Sequence, residues 1–235
     1  MKKIIFNHKS YLLYDEIVQY KNDFDKLDKS FEYILFPQLI YLSLFSGDKY
    51  VVGAQDFYST NTGSFSGEVN LESLKSLGVK YTMIGQYGRI KFLDENKVLI
   101  KDKLYKSLNC KFNTLLCVGE DKRTTRPFYK IKRQLIYYLK GVEKNKLKNL
   151  SIIYEPNYSM GSANINDVNY IIKNINRIKC FIKSKYNINI EVYYGGRITK
   201  ENISQIINNC DGLVFGKTSI DLKVIKELLT KIWLY

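Results

Sequence analysis

The sequence predicts an α/β fold in which eight parallel strands, each followed by a helix, close into one (β/α)8 barrel, with residues 1–235 forming a single domain. Three observations lead to this prediction: the length of 235 residues, eight short apolar runs, and amphipathic segments between them without a long linker. An open doubly wound sheet is the main alternative. No GxGxxG motif follows the first run, which disfavours the dinucleotide-binding form of that fold.

The apolar runs are typical of strands that are buried on both faces, because they are short and continuous and most end near Gly or a polar residue. They cover residues 3–7, 33–37, 50–54, 81–85, 113–119, 151–155, 190–195 and 212–216.

The segments between these runs place apolar residues at helical spacing, which predicts amphipathic helices. The clearest of them are Asp15–Phe24, Arg126–Val142, Val168–Tyr186 and Asp221–Trp233. Residues that favour helix starts indicate where some of these helices begin. They are Asn70, Thr199, and Ser219 with Asp221 after it.

The net charge is +14, with 37 basic and 23 acidic residues. The basic residues are scattered, and the abundance of Lys, Asn, Ile and Tyr explains the charge through composition. We therefore expect no nucleic-acid partner, although a basic field would help to attract a small anionic substrate.

The four cysteines show no CxxC spacing and no metal-like cluster, so we expect no metal site. Cys117 lies inside an apolar run, which predicts a buried thiol. No apolar stretch reaches the roughly 18–20 residues that a membrane span needs, and the N-terminal apolar run is too short for a signal peptide. These features predict a cytoplasmic protein without a membrane partner.

In a (β/α)8 barrel the active site lies at the carboxyl ends of the strands, so the residues that follow each run are the candidates. The last two runs end in glycine turns beside cations, at Gly196–Arg197 and Gly216–Lys217. Such turns expose backbone N–H groups to phosphate. Other runs deliver a carboxylate, Glu155, an early lysine, Lys9, and several amides.

A carboxylate, a lysine and a phosphate cradle are what proton abstraction beside the carbonyl of a small sugar phosphate requires. Taken singly, Glu155 also fits a surface acid, Lys9 a solvated lysine, and the glycine pairs plain turns. The order of these groups along the chain is the specific signal.

Several longer motifs resemble the triosephosphate isomerase family over nearly the whole chain. They are NHKSY (7–11), GAQDFYSTNTGSFSGEV (53–69), LLCVGE (115–120), YEPNYSMGSA (154–163), YYGG (193–196) and DGLVFG (211–216). The resemblance implies a TIM barrel that works as a homodimer without a cofactor. It also implies interconversion of glyceraldehyde 3-phosphate and dihydroxyacetone phosphate through an enediolate, in glycolysis and gluconeogenesis.

The resemblance also implies the catalytic residues. Glu155 would be the general base, Lys9 the electrostatic stabiliser and Asn7 its companion, with Gln86 at the fourth strand.

The remaining residues that the resemblance implies bind phosphate or the second subunit. Near the substrate phosphate we expect Gly161, Arg197, Gly216 and Lys217. In the homodimer interface we expect Ser66, Glu68 and Arg89, with Glu68 reaching Arg89 of the second copy.

The fourth-strand motif departs from the family pattern I-G-H-S-E-R-R, because here it reads IGQYGRI over residues 84–90. Gln86 stands where the family has the histidine that acts as a neutral electrophile. An amide can donate a hydrogen bond but cannot relay a proton. Tyr87 replaces a serine and Gly88 a second carboxylate. His8 stands in place of a tryptophan, and we expect it to pack beside the first strand.

Three functional hypotheses follow. The first is a triose phosphate isomerase, altered by Gln86, in which Glu155 also moves the proton between oxygens. The second is an isomerase of another phosphorylated aldose or ketose. The third is a non-catalytic or moonlighting paralog that keeps the fold and the phosphate site.

Overall fold

The computed structural model describes residues 1–27, 30–45, 47, 49–122, 124–159 and 167–232. Eight parallel strands close into a barrel in chain order, with β8 pairing to β1. The strands are β1 Lys3–Asn7, β2 Glu32–Phe36, β3 Val51–Ala54, β4 Tyr81–Ile84, β5 Asn113–Val118, β6 Leu150–Tyr154, β7 Glu191–Tyr194 and β8 Gly212–Phe215. The predicted fold class is confirmed, and the strand bounds differ from the predicted runs by one residue or so.

Helices follow the strands around the outside of the barrel. They are α1 Tyr14–Phe24, α2 Leu71–Ser76, α3 Tyr87–Phe92, α4 Lys97–Asn109, α5 Pro127–Leu139, α6 Val168–Tyr186, α7 Ile203–Asn209 and α8 Leu222–Thr230. A 3-10 helix, Leu39–Phe45, takes the place of an α-helix after β2. None of the helices in the described ranges combines the length and apolar character that crossing a membrane needs.

Polar side chains fix several helix starts by accepting hydrogen bonds from free backbone N–H groups. Asn70 accepts from the N–H of Ser73, as predicted for α2. Of the two other predicted starts, the one at Thr199 is wrong, and the one at Ser219 with Asp221 is confirmed for Asp221 only. Helix α7 begins at Ile203, and the residue that directly precedes it is Asn202 rather than Thr199.

Helix α8 is capped by Asp221, not by Ser219. The Asp221 carboxylate accepts from the backbone N–H groups of Lys223 and Val224. Ser219 is fully buried in the 3-10 helix Lys217–Ile220, and its hydroxyl has no hydrogen-bond partner among the described residues.

The hydrophobic core has two layers, because side chains of successive strand residues point alternately into the barrel and outwards. The inner layer contains Ile5, Phe36, Met83, Leu115, Cys117, Ile153, Tyr193 and Val214 with their neighbours. The outer layer joins the strands to the helices. Cys117 is buried, as predicted, and burial raises the pKa of its thiol. The packed interior leaves the carboxyl ends of the strands as the open mouth.

Candidate active site

A cavity of about 730 Å³ opens at the carboxyl ends of the strands. Its wall includes residues that follow six different strands, so the barrel closure brings together parts of the chain that are far apart in sequence. Polar and glycine positions of the wall include Asn7, Lys9, Gln55, Gln86, Glu155, Gly195 and Gly216. All four residues predicted to be catalytic therefore face one space.

Glu155 follows β6 directly and is buried against glycine. A Cβ atom built on Gly195 would lie 2.8 Å from Glu155 Cγ and 2.9 Å from its Oε1. A Cβ on Gly119 would lie 1.6 Å from the Glu155 carbonyl oxygen. Since real Cβ atoms do not approach so closely, the carboxylate and its backbone occupy space that only glycine neighbours leave open.

Burial raises the pKa of Glu155 to about 7, against an ordinary value of 4.5. The Lys9 ammonium opposes this rise, as does the backbone N–H of Tyr87, which donates a hydrogen bond to the carboxylate. A carboxyl group with this pKa is substantially ionised at neutral pH and is a stronger base than an exposed glutamate.

Lys9 follows β1 and lies beside the end of β8. A Cβ on Gly216 would lie 3.4 Å from Lys9 Cε and 3.6 Å from its Nζ. Lys9 also has a φ of 50°, in the left-handed region that non-glycine residues seldom adopt. Its ammonium therefore shares the cavity with Glu155 and the turn after β8.

Three amide side chains connect the strand ends beside Lys9. Asn7 Nδ2 donates to Gln86 Oε1 at 2.8 Å, and Gln86 Nε2 donates to the Gln55 carbonyl oxygen at 2.6 Å. Gln55 Nε2 in turn donates to the carbonyl oxygens of Lys9, at 3.0 Å, and Phe36, at 2.9 Å. Gln86 is thus anchored to the protein through both ends of its amide.

An ion-pair network follows the end of β4. It includes Arg89, the residue after Gly88, where the family pattern has a second carboxylate. Arg89 lies 2.7 Å from Asp56 and 3.3 Å from Glu95. Lys103 is nearly buried and lies 2.6 Å from Asp56, while it also pairs with Glu95. Because Arg89 pairs within its own chain, its predicted contact with Glu68 of a second copy would be an additional one.

His8 packs as predicted. It is 1% exposed, lies edge-on to Tyr20 with ring centroids 4.5 Å apart, and is absent from the described part of the cavity wall. Burial lowers its pKa to about 4, so the imidazole is neutral near pH 7.

The predicted phosphate-binding residues are not all in one place. Gly216 lines the cavity, whereas the side chains of Arg197 and Lys217 are exposed and do not belong to its wall as far as the chain is described. Lys217 Nζ lies 6.0 Å from the ring centroid of Tyr11, which does line the cavity. Gly161 lies outside the described residues.

The predicted dimer residues Ser66 and Glu68 are exposed in the loop between β3 and α2. The Tyr58 N–H donates to the Val69 carbonyl at 2.8 Å and closes the base of this loop. The loop therefore presents both side chains to solvent.

Sequence reasoning missed the role of Gln55 and that of the Tyr87 backbone. The position of Gln55 directly after β3 placed it at the mouth, but nothing in the sequence showed which carbonyls its amide would reach. Within the described residues, no group of three or more His, Cys, Asp or Glu side chains is placed to hold a metal ion.

Comparison with known proteins agrees with this geometry. A family model described as triosephosphate isomerase matches residues 2–232. The chain belongs to the triosephosphate isomerase family. The family resemblance expected from the strand-end motifs is thereby confirmed over nearly the whole chain.

Curated triosephosphate isomerases are about 30% identical to this chain over the aligned residues. That of Alkaliphilus metalliredigens is 33% identical over 184 residues, which cover 73% of each chain. That of Onion yellows phytoplasma is 31% identical over 234 residues, covering 93% of this chain and 85% of the relative. That of Buchnera aphidicola subsp. Baizongia pistaciae is 29% identical over 218 residues, covering 87% of this chain and 86% of the relative.

Proposed function

We propose that the protein is an isomerase that interconverts glyceraldehyde 3-phosphate and dihydroxyacetone phosphate through an enediolate. Membership in the triosephosphate isomerase family and the names of the relatives support an isomerase of triose phosphate. The observation that carries the proposal is a buried carboxyl group with a pKa of about 7, Glu155, facing one cavity together with the Lys9 ammonium.

In this proposal Glu155 removes the proton from the carbon next to the substrate carbonyl. The negative charge that develops on the carbonyl oxygen is stabilised by the Lys9 ammonium, which is already in place before the reaction. The hydroxyl proton then passes to the former carbonyl oxygen, and protonation of the former carbonyl carbon by the Glu155 carboxylic acid completes the isomerisation. The enediolate carries more charge near Lys9 than the substrate does, so Lys9 favours the transition state over the ground state.

Gln86 would polarise the substrate without moving a proton. Its Oε1 accepts from Asn7 and one N–H donates to the Gln55 carbonyl. The second N–H has no acceptor within the described part of the chain and can donate to a substrate oxygen. Since an amide does not relay protons, Glu155 would also carry the proton between the two oxygens. We expect a turnover about 10²–10⁴-fold below that of a site with an acid–base group at this position.

The phosphate group would bind at the opposite wall from Gln86. The backbone N–H groups of Gly216 and Lys217 would hold it, with Gly161 from the loop after β6 completing the cradle. The exposed Arg197 and Lys217 side chains would add positive charge around the phosphate, and guanidinium is well shaped for bidentate contact with it. The proposal includes a cytoplasmic protein that needs no cofactor.

The proposal also includes a homodimer joined through the loop that carries Ser66 and Glu68, with Glu68 reaching Arg89 of the second copy. Light scattering on the purified protein tests this directly. We expect twice the mass of the 27.5 kDa chain. A monomer at micromolar concentration would contradict the dimer but not the chemistry at Glu155.

The activity test compares the wild-type protein with Glu155→Gln, in which the amide keeps the shape of the side chain and removes the base. A coupled assay should show interconversion of the two triose phosphates, and Glu155→Gln should lower kcat about 10³-fold or more. Equal rates in the two proteins would exclude the reaction for this substrate.

A binding measurement separates the alternatives if no turnover is seen. A phosphorylated mimic of the enediolate should raise the melting temperature, because it binds the folded state alone. A shift with this ligand but no triose turnover would favour another phosphorylated sugar as substrate. No shift with any phosphorylated ligand would favour a non-catalytic protein that keeps the fold but not the phosphate site.

A further inference from the structure

The backbone of Lys9 is the most unusual feature of the proposed site. Its φ of 50° is a left-handed conformation that costs a non-glycine residue free energy. Such a conformation persists only where surrounding contacts hold it, and it is a reason to look for a functional constraint.

Both backbone polar groups of Lys9 are held by amide side chains. The Lys9 N–H donates to Asn7 Oδ1 at 3.2 Å, and its carbonyl accepts from Gln55 Nε2 at 3.0 Å. Asn7 and Gln55 are themselves joined through the Gln86 side chain, by the bonds of 2.8 Å and 2.6 Å. The hydrogen bonds therefore form a closed ring that runs from Lys9 through Asn7, Gln86 and Gln55 back to Lys9.

We propose that Gln55 and Gln86 are positioning residues that hold the Lys9 turn, so that its ammonium stays over the reacting end of the substrate. This inference rests on the proposed function for its catalytic part. We call the four residues Asn7, Lys9, Gln55 and Gln86 the amide ring. The ring connects the ends of β1, β3 and β4, which the barrel brings together but the sequence separates by up to 79 residues.

The ring gives a physical reason for an amide at position 86. Closing the ring requires one acceptor, for Asn7, and one N–H donor, for the Gln55 carbonyl. A neutral imidazole has one of each and would have no N–H left for the substrate, whereas a primary amide has a second N–H. Glutamine can therefore hold the Lys9 turn and donate to a substrate oxygen at the same time.

The position of Lys9 can be read without substrate, because its ammonium lowers the pKa of Glu155 by electrostatic attraction. If the turn relaxes and the ammonium moves away, the pKa of Glu155 must rise. A change in folding stability alone would not move this pKa.

The test variant is Gln55→Met, which keeps the length of the side chain and removes both N–H donors. Gln38→Met is the matched control, since Gln38 Nε2 donates to the Leu12 carbonyl at 2.8 Å in the same loop between β1 and α1. Gln38 is absent from the cavity wall formed by the described residues. The ionisation midpoint of Glu155 is measured by carbon NMR of labelled glutamate carboxyl groups, with Glu155→Gln identifying the resonance.

We expect Gln55→Met to raise the Glu155 midpoint by about 0.5 or more and to lower kcat at least about tenfold. Gln38→Met should leave the midpoint unchanged and kcat within about twofold, whatever it does to the melting temperature. If Gln55→Met does not fold, Gln86→Met is the second variant, because it removes both ring bonds of Gln86 and should raise the midpoint in the same way.

An unchanged midpoint would overturn the inference, even with a lower kcat, because Gln55 would then act on the substrate and not on Lys9. A raised midpoint with unchanged kcat in an active enzyme would also overturn it. Failure of the proposed function looks different, since the wild type would then not turn over triose phosphate. In that case the ionisation midpoint of Glu155 alone would test whether Gln55 and Gln86 position Lys9.

Discussion

At the ends of β1 and β6 the site keeps two opposite charges, Lys9 and Glu155, whereas at the end of β4 it presents a neutral amide, Gln86. The two regions are also built differently. Glu155 is enclosed by glycines that leave no room for a Cβ, at positions 119 and 195. A Cβ on Gly88 meets no described atom within 4 Å apart from its chain neighbours and its own helix.

The difference shows that a reacting charge and a polarising amide need different surroundings. The pKa of Glu155 depends on exclusion of water, so its walls must be close and its neighbours small. The Gln86 amide depends on partners at hydrogen-bond distance, so its surroundings can stay open on the solvent side. We expect substitutions beside Glu155 to affect catalysis strongly. Similar substitutions in the helix that follows Gln86 should affect it weakly.

The largest expected difference in catalysis between the two regions comes from adding one methyl group in each, at Gly195 beside Glu155 and at Gly88 beside Gln86. Gly195→Ala would place its Cβ against Glu155 Cγ and Oε1, and also 2.9 Å from Ile153 Cγ2, so the carboxylate must move. A displacement of about 1 Å in a reacting group costs about 10² in rate, and kcat/KM should fall by that amount. Gly88→Ala, on a helix with open space around the new methyl group, should change it less than about threefold. Similar losses in both variants would show that the two regions are equally constrained.

A second effect, of similar size in free energy, is expected on folding. The folded pKa of Glu155, about 7, lies above the ordinary 4.5, so between these values the folded protein binds more protons than the unfolded chain. The free energy of unfolding should therefore fall as the pH rises through this window, and Glu155 costs about 3 kcal/mol above it.

Urea unfolding of the wild type and Glu155→Gln at several pH values measures this cost. The variant should be about 3 kcal/mol more stable at pH 8 and equally stable near pH 4. Glu155→Asp keeps an ionisable group, so its difference from the wild type should vary much less with pH. Parallel curves for the wild type and Glu155→Gln would show that the carboxyl group is not desolvated, and the contrast with the Gln86 side would then disappear.

Local signals in the sequence located most elements, and they were less accurate at the starts of α7 and α8. Helix α6 covers Val168–Tyr186 as its apolar spacing predicts, and Asn70 caps α2. At α8 the Asp221 side chain caps the helix and Ser219 does not, while at α7 Asn202 precedes the first turn without a side-chain capping bond. Such a choice depends on the path of the preceding turn, which the local sequence does not specify.

The sequence by itself determined which chemical groups stand at the mouth of the barrel. Parallel strands in a closed barrel carry all their carboxyl ends to one side, so the residues after each apolar run had to meet there. This is why Asn7, Lys9, Gln86 and Glu155, each at the end of an apolar run, lie together at the mouth.

The tertiary structure alone decided how these groups are paired and how strongly they are perturbed. Arg89 pairs with Asp56 and Glu95, Gln86 with Asn7 and Gln55, and burial gives Glu155 its high pKa. Hydrogen bonds form over about 3 Å and desolvation depends on every neighbouring atom. Both depend on residues far apart in the chain, whose distances are set only when the barrel closes.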